Sequence, residues 1–550
     1  MSAATILGRL ARALADHPDQ ECLAVWSAGR AERRTVADLL GSAAAVAQWL
    51  GDAGVRPGNP VPIMRPAGFT AASEFLGCIM FGALPCLLAP PNPRMSSEAF
   101  ASRLRGVLGR VDAGVLLMGE AGADLARLST GLRVADPQGL AARDPLPWLG
   151  RLCDPGDPAF LQHSSGTTGV PKAVLIGHGQ LVSHLDAYGA CLAVGPDDRI
   201  ASWLPWYHDM GLIACFWGAL LWDIPLVQLD NIAWANEPAL LFDAIRAERP
   251  TLVWQPNFAF AHLERTVTPA RFAELDLSCV RAWTNCSEPL RAETMDRFLA
   301  RFAGHGVRSE ALLGCYAMAE NVFAVTASAA PATVLACDRD RLERDGVVAP
   351  AVAGAPSTRL LSSGRVMAGV EIAIAGAVDA GRVGEILVRG PWRLPSYWRE
   401  PADPQVIDAD GWLHTGDLGV LVDGELYVIG RAKDMIIVAG RNCIPSEIEA
   451  AAGQVADVLP GRVCCIGLPS ADGSTEELHL IAETALPAGD HAALSVRLRT
   501  AVSGETQFPI RRAWIVPPRW LVKSSSGKLS RVENRRRLLR EFAVDGRPAG

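Results

Sequence analysis

The chain has no Cys-x-x-Cys pair and no His/Cys cluster at zinc spacing, although it carries 13 cysteines. The surroundings of Cys78, Cys86, Cys191 and Cys215 are apolar, which reads as reduced thiols in a core rather than as a disulfide framework or a metal site. The N-terminus lacks a cationic stretch followed by a long apolar run, so no signal peptide is expected and a cytoplasmic location is. No apolar run reaches membrane-spanning length. The most apolar stretch, residues 211–221, is soon interrupted by Asp223 and Pro225 and predicts a core helix running into a strand. A basic excess is missing too: the formal net charge is -7, which makes nucleic acid and anionic membrane poor main partners. Two common phosphate-binding signatures are also absent, Gly-x-x-x-x-Gly-Lys-[Ser/Thr] and Gly-x-Gly-x-x-Gly after a strand.

What is present describes a large globular chain. Its 550 residues are 49% hydrophobic and 20% charged, enough for a large core and a second, smaller unit. The first third alternates helical and extended patterns: a helix over 36–50, with Leu39, Leu40, Val46 and Leu50 at helical spacing; a strand over 61–64; a helix over 72–81; an extended segment over 84–88. Such alternation predicts an α/β fold with largely parallel sheets. Residues 331–363 are rich in Ala, Pro and charge, and the run from Asp338 to Asp345 reads as a solvated loop or exposed helix. After Gly430 the texture becomes compact and charged. The expected division is a large N-terminal α/β domain of stacked mixed or parallel sheets, residues 1–430, and a small mobile C-terminal α+β domain, residues 431–550.

The strongest chemical signal is the string Leu161-Gln162-His163-Ser164-Ser165-Gly166-Thr167-Thr168-Gly169-Val170-Pro171-Lys172. A strand over 159–161 enters a loop of small hydroxylated residues and glycines, and a strand over 173–176 leaves it. Backbone N–H groups and hydroxyls of such a loop wrap phosphate oxygens, and Lys172 adds a cation.

At this string the chain resembles the acyl- and aryl-adenylate-forming superfamily of acyl-CoA synthetases, nonribosomal adenylation domains and luciferases. The resemblance recurs in order along nearly the whole chain. Residues 204–212 include His208-Asp209-Met210-Gly211-Leu212, and Tyr316-Ala317-Met318-Ala319-Glu320 is similar to Tyr-Gly-x-x-Glu. Gly411-Trp412-Leu413-His414-Thr415-Gly416-Asp417 resembles the ribose motif, and Gly430-Arg431-Ala432-Lys433-Asp434 the hinge motif. Ser524-Ser525-Ser526-Gly527-Lys528 resembles the loop of the catalytic lysine. Within the superfamily, His208 to Leu212, Pro256-Asn257-Phe258-Ala259-Phe260, Glu288-Pro289 with Arg291, and Gly440-Arg441-Asn442 with Pro445 look most like fatty acyl-AMP ligases, which pass their adenylate to an acyl carrier protein.

The resemblance implies ATP and Mg²⁺ as cofactors and a carboxylic acid as substrate. The acid attacks the α-phosphorus while pyrophosphate leaves, so charge neutralisation and positioning dominate catalysis. Lys528 is expected to bridge the carboxylate and the α-phosphate, and His208 to contact the carboxylate and gate the acyl pocket. Glu320 and Thr168 are expected to hold the metal. The nucleotide is assigned to Ser164, Ser165, Gly166, Thr167, Thr168, Gly169, Lys172, Ser287, Glu288, Tyr316, Ala317, Asp417 and Arg431, with Tyr316 on adenine and Asp417 and Arg431 on the ribose. Lys433 is the expected hinge.

Tryptophan is common over 203–254, chiefly as core. Trp206, Asp230, Asn231 and Asn257 are the candidate substrate-pocket residues. Ala317 for Gly, Cys286-Ser287 for Gly-Ala and the polar Asp230-Asn231 depart from the family pattern. The last of these predicts an acid shorter or more polar than a long fatty chain. No carrier-protein serine motif or thioesterase Gly-x-Ser-x-Gly is visible, so a carrier would be a separate protein. The rivals are a coenzyme A ligase, adenylation for another bond such as nitrogen–nitrogen or amide, and a silent adenylate-binding protein; Lys528, Glu320 and Asp417 together argue against the last.

Overall fold

The computed structural model describes residues 2–27, 29–90, 97–119, 132–164, 172–268, 275–328, 331–377, 381–470, 475–523 and 529–542. Helices and strands alternate as the periodicity indicates. The helix Val36–Asp52 opens on a capping box in which Thr35 and Asp38 satisfy each other's amides. The strand Pro60–Met64 is buried throughout. The helix Phe69–Phe81 follows, then the strand Leu84–Leu87. With Val115–Met118 and Arg133–Ala135 these strands form an all-parallel sheet of four. The stretch over 211–221 winds as a π-helix, Met210–Trp217, continued by the α-helix Gly218–Trp222, and runs into the strand Leu226–Leu229.

The larger sheet has thirteen strands among the described residues. Its parallel centre holds Leu312–Ala317, Ala282–Asn285, Leu252–Gln255, Ile200–Ser202, Leu226–Leu229 and Glu21–Ser27 in that order. Beyond Leu312–Ala317 the pairing turns antiparallel and ends in Glu425–Arg431, Leu413–Val422, Gly384–Arg389 and Glu371–Ile374. One continuous apolar core joins both sheets, from Ile6 to Leu426. No helix among the described residues is long and apolar enough to cross a membrane.

The C-terminal unit has cores of its own. One runs from Ile436 to Ala513 and another from Cys464 to Leu538, around the three strands Val463–Pro469, Glu476–Glu483 and Ile510–Val516. The charged run after Cys337 is a helix, Arg339–Asp345, capped by Asp338 and flanked by the paired strands Val334–Asp338 and Ser357–Leu361. It is not fully solvated: Glu343 is buried and pairs with Arg441 of the C-terminal unit. The acidic carboxylate turns inward because a guanidinium from the other unit meets it there.

At the carboxyl end of Pro60–Met64 lies a buried ionic cluster. Arg65 donates to both Glu74 carboxylate oxygens, at 2.7–3.1 Å, and to Asp136 at 2.5 Å. Burial raises the Glu74 pKa even with Arg65 beside it. Removing one partner of a buried pair leaves an uncompensated charge, whereas removing both does not. Arg65→Met is expected to cost about 3–5 kcal/mol, read as a fall in the urea midpoint. Arg65→Met with Glu74→Leu is expected to recover most of it; equal losses in the two variants would rule out the charge imbalance as the cause.

Candidate active site

A cleft of about 2010 Å³ lies between the carboxyl edge of the large sheet and the C-terminal unit, and both line it. Ligands of open α/β sheets bind at this edge, where the strands end and loops diverge. The cleft gathers most of the described candidate residues: Ser164, Lys172, His208, Asn231, Asn257, Ser287, Glu288, Tyr316, Ala317, Glu320, Asp417, Arg431 and Lys433.

The best-defined group is Asp417 with Arg431 and Tyr316. The strands Leu413–Val422 and Glu425–Arg431 pair so that Asp417 stands opposite Arg431. The Arg431 Nε lies 2.9 Å from Asp417 Oδ1. The Tyr316 hydroxyl donates to Asp417 Oδ2 at 2.7 Å, and burial raises its pKa. The approach to Asp417 is set by Gly416, whose φ of 70° suits a residue without Cβ. Its amide donates to Glu385 Oε1 at 2.8 Å. The Asp417 side chain is 11% exposed and that of Arg431 41%. Each carboxylate oxygen already has one donor and retains a lone pair for a hydroxyl presented from the cleft.

A second group surrounds Glu320. Tyr397 donates its hydroxyl to Glu320 Oε1 at 2.9 Å. The same Tyr397 ring lies 4.4 Å below the Lys172 ammonium, which pairs with Glu400 at 2.8 Å. The backbone is strained two residues on. Val322 has φ 65° and ψ -61°, and the Phe323 amide donates to the Asn321 carbonyl at 2.7 Å. This is a γ-turn of the rare, strained kind, at a β-branched residue. Burial raises the Glu320 pKa; the Tyr397 bond lowers it, and the charge of Asp209 raises it. His208 Nδ1 lies 2.6 Å from Asp209 Oδ1, and the same oxygen accepts the Met210 amide at 2.8 Å. The Ser164 amide donates to the Lys172 carbonyl at 2.8 Å. Ser165, Gly166, Thr167, Thr168, Gly169 and Lys528 lie outside the described residues.

Two pocket candidates are corrected. The Asp230 carboxylate is exposed and accepts the amides of Ile232 and Ala233 at 3.0 and 2.7 Å, capping the helix Asn231–Asn236. Trp206 is buried behind the wall, its indole donating to Gln228 Oε1 at 3.0 Å. Trp203 and Trp234 do reach the cleft, stacked with their ring centres 3.5 Å apart. Asn257 is held by Asn285 and by the Arg291 amide. Glu288 accepts the Phe258 amide at 2.9 Å. Ser287 holds a φ of 69°.

Sequence reasoning missed Tyr397, Glu400 and Lys523. Rarity was the available signal. The chain has five tyrosines and only four lysines, Lys172, Lys433, Lys523 and Lys528, among 52 basic residues. The three described lysines all line the cleft. A compact ammonium is not replaced by the planar fork of arginine where a point charge is needed.

The Tyr397 hydroxyl favours the ionised form of Glu320. Without that hydrogen bond the charged carboxylate loses a donor, so Tyr397→Phe should raise the Glu320 pKa further. The expected readout is an acidic limb of the pH–activity profile that moves to higher pH. An unmoved limb would show that Glu320 does not limit activity at low pH.

Residues 10–398 match the family described as AMP-binding enzyme. The "Putative acyl-CoA synthetase" of Caulobacter vibrioides is 30% identical over 519 residues, 90% of this chain and 88% of that one. The medium-chain-fatty-acid–[acyl-carrier-protein] ligase JamA of Moorena producens is 28% identical over 503 residues, 85% of this chain and 84% of that one. A structure from studies of the fatty acyl-adenylate ligases of E. coli and L. pneumophila superposes with a TM-score of 0.88 at 27% identity, over 98% of both chains. With the cleft and two-unit architecture described above, these matches lead to one conclusion: the chain belongs to the AMP-binding enzyme family and is an enzyme of the ligase type.

Proposed function

We propose that the chain uses ATP to convert a carboxylic acid to its acyl-adenylate, with release of pyrophosphate, and then passes the acyl group to a thiol, the phosphopantetheine of a separate acyl carrier protein, with AMP as the leaving group. The observation that carries this reading is the Asp417–Arg431–Tyr316 group facing the same cleft as Glu320, Lys172 and His208. In the first step a carboxylate oxygen attacks the α-phosphorus and the bond to the bridging oxygen of pyrophosphate breaks. Asp417 accepts both ribose hydroxyls, Arg431 donates to the same sugar, and Tyr316 stacks on adenine. The loop from Ser164 to Gly169 wraps the phosphates, with Lys172 as its cation. Ser287, Glu288 and Ala317 border the nucleotide. Lys528 is assigned to bridge the acid's carboxylate and the α-phosphate, and His208 to orient that carboxylate.

The donor set at Glu320 fits Mg²⁺. It is a carboxylate with a raised proton affinity, with the charge of Asp209 close enough to raise it further, and hard oxygen donors of this kind suit a small divalent cation. Glu320 with Thr168 would hold it, and its charge would neutralise phosphate oxygens. The boundary between the units is placed at 430/431, with Lys433 as the hinge. Two half-reactions need different surroundings, and rotation of the small unit supplies both from one pocket. The reaction is placed in the cytoplasm. A coenzyme A acceptor is the second reading, favoured by the acyl-CoA synthetase relative.

Acid-dependent pyrophosphate release tests the first step, and transfer of labelled acyl group to holo carrier protein against coenzyme A tests the second. Asp417→Ala is expected to raise KM for ATP with a smaller effect on kcat, because ribose contacts act in the ground state; an unchanged KM would remove the ribose assignment. Lys528→Ala is expected to lower adenylate formation by about 10²–10³ with ATP binding within a few-fold. Wild-type exchange in that variant would remove Lys528 from the chemistry.

A further inference from the structure

On the reading just given, the acid must extend along the cleft wall, and the wall on the sheet side has a closed floor. Ser287 and Cys315 line it. The register Asn285↔Gly314 sets the next residues, Cys286 and Cys315, side by side at the strand ends. The pairs Trp254↔Thr284 and Thr284↔Leu313 lie two residues earlier, so by strand alternation Trp254 is on the same face as the two thiols. The Ser287 hydroxyl is 3.7 Å from Cys286 Sγ and 3.9 Å from Met210 Sδ. Cys286, Cys315 and Met210 are all buried.

The layer behind these sulfurs is full. Tyr188 and Trp254 are completely buried, and the Trp254 indole donates to the Tyr188 hydroxyl at 2.8 Å. Cys315 and Cys286 are the electrostatic neighbours of that hydroxyl. Phe323 meets the Tyr188 ring edge-on at 5.6 Å, and Trp222 stacks on Trp254 at 6.3 Å. The Trp222 indole donates to the Leu185 carbonyl at 2.9 Å. Even a methyl group added at Gly189 would come within 2.6 Å of Trp222 Nε1. A methylene chain entering this layer would have to displace hydrogen-bonded rings in a close-packed interior, which costs packing and leaves an indole or hydroxyl unpaired.

We infer that the cleft activates short carboxylic acids, because the Cys286–Cys315–Met210 floor, backed by Tyr188 and Trp254, stops the acyl tail within a few carbons. Cys286 is the specificity-determining residue of that floor: its thiol occupies space that a glycine would leave open. The inference rests on the proposed acid activation and replaces Asp230 as the reason for a short substrate. Trp203, Trp234 and Phe258 line the cleft elsewhere, with the Lys523 ammonium 5.8 Å from the Phe258 ring.

The test is pyrophosphate release by the intact chain with MgATP over straight-chain acids from acetate to dodecanoate. Butanoate is expected to exceed dodecanoate in kcat/KM by at least about tenfold, the scale on which a closed pocket counts one methylene. Cys286→Gly is expected to raise the hexanoate-to-butanoate ratio by about tenfold. Dodecanoate activated as well as butanoate by the wild type, a measurement that needs no variant, would overturn the length limit and put the tail along Trp203, Trp234 and Phe258. A Cys286→Gly profile identical to wild type would overturn the placement of the limit at this floor. Release with none of the acids would instead overturn the acid-activation reading beneath it.

Discussion

The pairing of Asp417 with Arg431 across two antiparallel strands is the constraint on which the cleft depends. It is the terminal pair of its ladder. Holding the carboxylate against the guanidinium at 2.9 Å also fixes where the chain leaves the sheet, because Arg431 is the last residue of its strand. One short turn, Ala432–Asp434, then leads into the C-terminal unit. The Tyr316 hydroxyl ties this antiparallel edge back to the parallel centre. A single hydrogen-bonded group thus joins the three parts of the cleft: the strand ends, the antiparallel wall and the exit to the small unit.

Charged and polar contacts hold the two units together. Arg441 meets Glu343 and Asp340. Arg265 donates to the Gly453 carbonyl, Arg339 to the Glu505 carbonyl, and Thr358 to Glu447. The apolar part is small, with Ile429 and Leu342 meeting Ile444 and Met435. Surfaces of this kind exchange protein partners for water at modest cost, unlike the interlocked cores on either side. An interface built this way is compatible with the proposed rotation of the small unit.

The legible parts of the site were contiguous strings. Glu320 and Tyr316 sit in one short run, Gly416 and Asp417 in another, and each string encodes a local turn whose backbone geometry its own residues set. Tyr397 was not legible, because its claims on the site are a hydrogen bond to Glu320, 77 residues earlier, and a ring against the Lys172 ammonium, farther back still. Asp230 was misread for the converse reason. A polar residue after an apolar strand looks like a pocket wall, but the helix that begins at Asn231 needs an N-cap, and the carboxylate serves that local need. The charged helix Arg339–Asp345 was legible as polar, yet its buried Glu343 depends on Arg441, almost a hundred residues later.

The amino-acid sequence by itself determined the alternation of helix and strand, the change of texture after Gly430 and the residue types that the cleft would use. These are local properties of periodicity, capping and short motifs. Tertiary structure alone decided which polar groups converge and how much room remains among them. Register across strands placed Asp417 on Arg431 and Cys286 beside Cys315. Close packing of Tyr188, Trp254, Trp222 and Phe323 closed the floor behind the thiols. The space left to a substrate depends on side-chain volumes brought together from distant parts of the chain, and no window of sequence contains that sum.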